Sequence, residues 1–187
     1  PAEEDIPTDL AMIVERLPQP QNGWELITAK AADLVDVTDL VADLGRCLRT
    51  IHETLGQTFG TANIDGARIA DDMMRRLDAA VATVPMLASY QDTLASRFEK
   101  LRGRQLAAQR VHGDFHLGQT LLTPDGWRII DFEGEPLKPL AERRLPDSRW
   151  RDVAGITRSL SYATSAHARP TAPETLAWTN RASEAFL

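Results

Sequence analysis

Two aspartates, one amide and a further acid within a short stretch carry the most specific chemistry in the sequence. Asp114 stands in His112-Gly113-Asp114-Phe115-His116-Leu117-Gly118-Gln119, and Asp131 in Ile130-Asp131-Phe132-Glu133. Transfer of a phosphoryl group to a hydroxyl asks for little covalent help from a protein. It needs a carboxylate to orient the hydroxyl and take its proton, and oxygen ligands to hold magnesium against the phosphates. A loop aspartate, an amide five residues on, and a strand that ends in a second aspartate supply that set. Asp114 is then the candidate base, Gln119 the amide ligand, Asp131 the main metal ligand, and Glu133 an acid that could meet a second ion. Blander readings exist: turn-forming aspartates, and an amide that ties down its own loop. The spacing His112-x-Asp114-x-His116 also offers zinc-type ligands, although such a site wants another His, Cys or carboxylate nearby.

The elements that must position these groups follow from local patterns. Pro124-Asp125-Gly126 is a turn, because proline presets φ and glycine tolerates positive φ. Around it, Thr120–Leu122 and Trp127–Phe132 read as the two strands of a hairpin, and Arg110–His112 as a short strand before it. Upstream, the apolar positions Leu34, Val37, Val41, Leu44, Leu48, Ile51 and Leu55 alternate by threes and fours, which predicts helix from Ala29 to about Leu55 with a break near Thr38. His52 and Cys47 fall on that helix and read as structural. A glycine-rich joint, 56–66, leads to helical patterns over Ile69–Val81 and Leu87–Leu101, separated at Pro85. A helix from Trp150 to about Thr164 and a last one after Pro173 complete the pattern. Near the start, Leu10–Arg16 reads as a buried strand. The sum is an α+β chain, a helical lobe with a β-hairpin set into it.

Composition limits the partners. The chain has 187 residues, 43% of them hydrophobic, enough for a real core. A net charge of −6 argues against a general nucleic-acid surface. No run of about 20 apolar residues is present, so no membrane span is expected. One cysteine, Cys47, excludes an internal disulfide and is compatible with a cytoplasmic setting.

His112-Gly-Asp-Phe-His116 followed by Ile130-Asp-Phe-Glu133 resembles the catalytic loop and metal motif of the aminoglycoside phosphotransferase and choline kinase superfamily. Longer strings are similar to actinobacterial maltokinases and their glucosamine-kinase relatives: Val111–Thr120, Ile130–Pro136, Pro139–Arg144 and Trp150–Ser159. The resemblance implies a protein-kinase-like fold, ATP as co-substrate, Mg2+ and a sugar acceptor. It also implies that His112 and His116 brace the loop rather than bind a metal. Gln119 stands where many superfamily members carry Asn, and Glu133 where protein kinases have the glycine of D-F-G.

The same resemblance implies an N-terminal lobe with a phosphate-covering loop and a lysine. No G-x-G-x-x-G occurs here, and Lys30 and Lys100 fall on helical patterns. Residues 1–23 therefore read as the last strand of that lobe and the hinge, with the backbone of Glu15, Arg16 and Leu17 meeting adenine. Residues 24–187 read as the helical C-terminal lobe with its catalytic loop at 111–135, a fragment interrupted at both ends. Glu135, Arg144 and Trp150, with Arg143 and Tyr162, are the acceptor-pocket candidates, since sugars are held by carboxylates and aromatic faces. Asp152 and Arg158 could brace the lobe or touch substrate. Phosphorylation of maltose leads this reading, followed by 6-phosphorylation of glucosamine, an aminoglycoside-type activity, and a non-catalytic binding module.

Overall fold

A computed structural model of the chain describes residues 13–136 and 138–187. Helices dominate it, with two small antiparallel sheets set among them, as the α+β reading expects. Strand β1 (Gln21–Asn22) runs into helix α1 (Gly23–Ala32), where the Asn22 side-chain oxygen accepts from the amides of Trp24 (2.9 Å) and Glu25 (3.3 Å). Helix α2 (Thr38–Phe59) follows after a break at 33–37. The break falls where the periodicity predicts it. The Asp36 carboxylate accepts from both the amide (2.9 Å) and the hydroxyl (2.6 Å) of Thr38.

The main core lies between α2 and the last helix, α7 (Pro173–Phe186). Val41, Leu44 and Leu48 of α2 and Trp178, Ala182 and Phe186 of α7 are buried there. Each fully buried large apolar side chain contributes roughly 1.5–3 kcal/mol. Gly45 lets the helices cross closely, since a Cβ there would collide with the Phe186 carbonyl. The two buried indoles place their N–H groups on backbone carbonyls, Trp178 on Val35 (2.7 Å) and Trp127 on Leu40 (2.9 Å).

Between α2 and the catalytic loop the chain makes an excursion on a two-stranded stem. Strand β2 (Thr61–Asp65) pairs antiparallel with β3 (Gln105–Gln109), from Thr61↔Gln109 to Asp65↔Gln105. The stem carries helices α3 (Gly66–Thr83) and α4 (Ala88–Glu99), joined by a 3-10 turn at Pro85–Leu87. The stretch read as a glycine-rich joint is thus the end of α2 plus a strand. The strand expected at Arg110–His112 lies five residues earlier, at β3.

Strands β4 (Thr120–Thr123) and β5 (Gly126–Ile129) form the expected hairpin, and β1 pairs with the outer edge of β4. The returning strand stops at Ile129 rather than Phe132. Asp131 sits at φ +63°, a left-handed conformation that no strand continues through. A short helix α5 (Leu140–Arg143) interrupts the loop before α6 (Trp150–Ala163). Of the early strand, Leu10–Met12 lie outside the described residues. Ile13–Arg16 form no strand, and Ile13 is wholly exposed, with no neighbouring strand among the described residues to take its backbone groups.

Candidate active site

The loop 112–119, called the base loop for the candidate base Asp114 that it carries, is gripped by one face of α6. The buried stripe of that helix is Asp152, Ile156, Ser159, Leu160 and Ala163. Its two strongest polar members are both spent on the loop. The wholly buried Asp152 carboxylate accepts from the amides of His112 (3.0 Å) and Gly113 (2.9 Å), and Ser159 Oγ accepts from the amide of Leu117 (3.1 Å). Between them Gly155 faces the loop so closely that a Cβ would collide with the Phe115 carbonyl. His52 of α2 completes the clamp, its Nε2 lying 2.7 Å from Asp152 Oδ2. A buried carboxylate with three partners is satisfied, as burial in apolar surroundings requires.

Both motif histidines are committed to backbone. His112 Nε2 lies 2.8 Å from the carbonyl of Ile130, which can only accept, while Nδ1 accepts from the amide of Asp114 (3.3 Å). These two bonds fix the Nε2–H tautomer. The ring also packs at 4.9 Å from Phe132 and 5.4 Å from Phe115, so it joins the loop to the metal motif. His116 Nδ1 accepts from the amide of Gly118 (3.1 Å) and caps the 3-10 turn Leu117–Gln119. That bonding leaves no nitrogen pair for the zinc alternative. Among the described residues no group of three or more His, Cys, Asp or Glu is arranged to hold a metal.

The hairpin brings the two presumptive magnesium ligands together. Gln119 Nε2 donates to Asp131 Oδ2 at 2.8 Å, and the Ile130 amide donates to the Gln119 carbonyl at 3.0 Å. Gln119 Oε1 and the second Asp131 oxygen remain for a cation. An amide and a carboxylate oxygen are hard donors that suit Mg2+, which takes its other ligands from phosphate and water. Glu133 is exposed on the following turn and no hydrogen bond joins it to this pair.

The candidates for the acceptor pocket divide. Glu135 is engaged: its carboxylate pairs with Arg151 and lies 3.4 Å from Arg76 of α3. Burial alone would raise the Glu135 carboxyl, but Arg151, followed by Arg76 and Lys138, outweighs it and holds the group below its ordinary value. Arg143 is spent on the carbonyls of Lys138 (2.9 Å) and Pro136 (2.7 Å). Arg144 and Trp150 are exposed, Trp150 at 71%, and Tyr162 accepts from Arg158 at 2.6 Å on the outer face of α6. Glu15, Arg16 and Leu17 lie in an irregular segment, apart from the base loop in sequence. Asp152 and Ser159 are the site residues that the sequence reading left ambiguous or missed. Their signal was a polar residue in register with the apolar stripe of α6, Asp152 one turn before Ile156 and Ser159 between Ile156 and Leu160.

A helix whose buried face grips an aspartate loop, beside a hairpin followed by a second aspartate, is the arrangement of a protein-kinase-like fold. Residues 9–135 match the APH phosphotransferase enzyme family, more than half of the chain, and the chain belongs to that family. It is 32% identical over 179 residues to a glucosamine kinase of Streptacidiphilus jiangxiensis, covering 86% of this chain and 40% of that protein. A glucosamine kinase of Mycolicibacterium smegmatis (strain ATCC 700084 / mc(2)155) is 29% identical over 181 residues, covering 84% of this chain and 43% of that one. The chain thus spans about two fifths of the length of these relatives. Among solved structures, a glucosamine kinase in complex with glucosamine, ADP and inorganic phosphate superposes with a TM-score of 0.81 at 24% identity, over 91% of this chain and 48% of that one. A second glucosamine kinase crystal form gives 0.80 at 26% identity, over 91% and 46%. No described helix is long and apolar enough to cross a membrane.

Proposed function

We propose that this chain is the catalytic lobe of an ATP-dependent sugar kinase whose acceptor is glucosamine, phosphorylated at the 6-hydroxyl. The observation that carries the reading is the pairing of a gripped base loop with the Gln119–Asp131 donor pair. The relatives described above are glucosamine kinases, which favours glucosamine over the maltose that the longer motif strings put first. Residues 24–187 form the lobe in this reading, and residues 1–23 the approach from the hinge, where the backbone at Glu15–Leu17 would meet adenine.

Asp114 orients the acceptor hydroxyl and takes its proton as the hydroxyl oxygen bonds to the γ-phosphorus and the bond to the ADP oxygen breaks. Gln119 and Asp131, with Glu133 as a possible further acid, would hold magnesium, which neutralises charge developing on the phosphates. His112 and Asp152 keep Asp114 in place by fixing the peptide groups on its N-terminal side. A positioned base is worth about 10²–10⁴ in rate. In the full-length protein, assayed against glucosamine, maltose and an aminoglycoside, Asp114→Asn should lower kcat by that factor with little change in the KM for ATP. Near-normal kcat would refute the base, and no turnover of any sugar by the wild type would refute the kinase reading.

A further inference from the structure

The geometry points to Arg151 as a positioning residue that ties the base loop to the metal loop, a role that rests on the kinase reading above. Three of its nitrogens serve three separate segments. Nε donates to the Gly113 carbonyl (2.8 Å), one terminal nitrogen pairs with the Glu135 carboxylate, and the other reaches Asp147 Oδ2 (3.3 Å). Gly113 immediately precedes the base Asp114, and Glu135 follows Asp131 by four residues. The neighbouring Asp152 takes the Gly113 amide, so consecutive residues of α6 hold both the N–H and the C=O of the same glycine.

That glycine is where restraint matters most. Gly113 (φ +86°) and Gly134 (φ +79°) are the points at which the two loops touch, a Cβ on Gly113 falling 3.5 Å from Gly134 Cα. Glycines in left-handed conformations have the widest backbone freedom, so packing alone holds their register weakly. A planar guanidinium with donors fixed in a fork can span both loops at once, whereas a lysine offers one nitrogen. The side chain is only 24% exposed, so little water competes for these bonds. An Arg151–Glu135 pair by itself would be structural; the bond to Gly113 is what carries its influence to the base.

The test uses the full-length protein with Arg151→Ala and Arg151→Lys. Arg151→Ala should lower kcat about 10–100-fold and raise the Mg2+ concentration for half-maximal rate, with little change in the KM for the sugar. Arg151→Lys should fall between. Added ethylguanidinium should restore part of the alanine variant's rate where ethylammonium does not. Without ligands, amide exchange in segments 111–116 and 131–135 should quicken, while α2 and α7 stay as in the wild type. Wild-type kcat and Mg2+ dependence in Arg151→Ala would overturn the inference, whatever its melting temperature, as would unchanged exchange in both loops. Should the alanine variant not fold, Glu135→Gln cuts the same tie from the other end and must quicken exchange in both segments; unchanged exchange there overturns the inference. A wild type that phosphorylates no sugar would instead remove the kinase reading, and the exchange comparison would still decide the role of Arg151.

Discussion

Two regions of this lobe treat burial and hydrogen bonding in opposite ways. The cradle formed by α6, His52 and the base loop commits nearly every polar group it buries: Asp152 to two amides and His52, Ser159 to Leu117, His112 to Ile130 and Asp114. The excursion on the β2–β3 stem is built from side chains in partial contact. Helix α4 buries no residue fully, and α3 buries only Gly66, Ala70 and Leu77. Among the described residues, one hydrogen bond joins its helices to the rest of the lobe, from Arg76 to Glu135 (3.4 Å). Where it holds the loop that carries Asp114, the chain uses buried polar bonds to backbone. Where it presents surface, it does not.

The largest effect should come from the centre of the cradle. Asp152→Ala leaves two amides and His52 without their acceptor in a wholly buried site, and removal of one partner from a buried charged network costs about 3–5 kcal/mol. Urea titration should show the midpoint falling with an unchanged slope. A loss under about 1 kcal/mol would mean the cradle is far looser than its geometry.

Gly155→Ala tests the same surface through shape alone. The new Cβ would collide with the backbone carbonyl of Phe115, which cannot rotate away, so α6 and the loop must separate. Overpacking of this kind costs about 1–3 kcal/mol. Activity should fall further than stability, because the loop that moves carries Asp114. Equal stability and activity to wild type would place the helix farther from the loop.

The meeting of Gln119 with Asp131 was legible because it is local: short spacing and one proline-glycine turn tie the two residues. The helices of the core were legible for the same reason, each showing its stripe at 3.6-residue spacing. The stem was not. Thr61–Asp65 and Gln105–Gln109 are short, with mostly small and polar residues of weak strand preference, and they pair across 40 to 48 positions. Asp152 was visible as a residue but ambiguous in role, since an acid on an apolar helical face declares its partner only when the loop is folded against it. Glu135 reads in the sequence as a residue that lines the acceptor pocket or braces it, and no local pattern decides between the two. Its two arginine partners are 16 residues downstream and 59 upstream, beyond the reach of local pattern.

Glu135→Gln should have a modest effect that depends on pH. The carboxyl is held below its ordinary value, so the ionised pair stabilises the native state fully above about pH 4.5, and that contribution is lost as pH falls through the lower native value. Wild type should therefore exceed the variant by about 1 kcal/mol at pH 7, with the gap closing on acidification below pH 4.5. A gap that does not narrow at all on acidification below pH 4.5 would place the loss in packing rather than charge.

The smallest effects should come from the excursion. Met86 in the turn between α3 and α4 and Tyr90 in the first turn of α4 are 78% and 62% exposed. Truncating side chains at such positions changes stability by less than about 0.5 kcal/mol. Amides of α4 should also exchange faster than those of α2, because a helix without a buried face opens at little cost. If Tyr90→Ala instead costs 2 kcal/mol or more in the full-length protein, or α4 exchanges as slowly as α2 there, the excursion has a packing partner. The contrast between the two regions would then be a property of this lobe alone. Comparing the same variant in this chain and in the full-length protein separates the outcomes. A penalty in both would mean that α3 and α4 stabilise each other more than their exposure indicates, and a penalty only in the longer protein would mean that its remainder covers Tyr90.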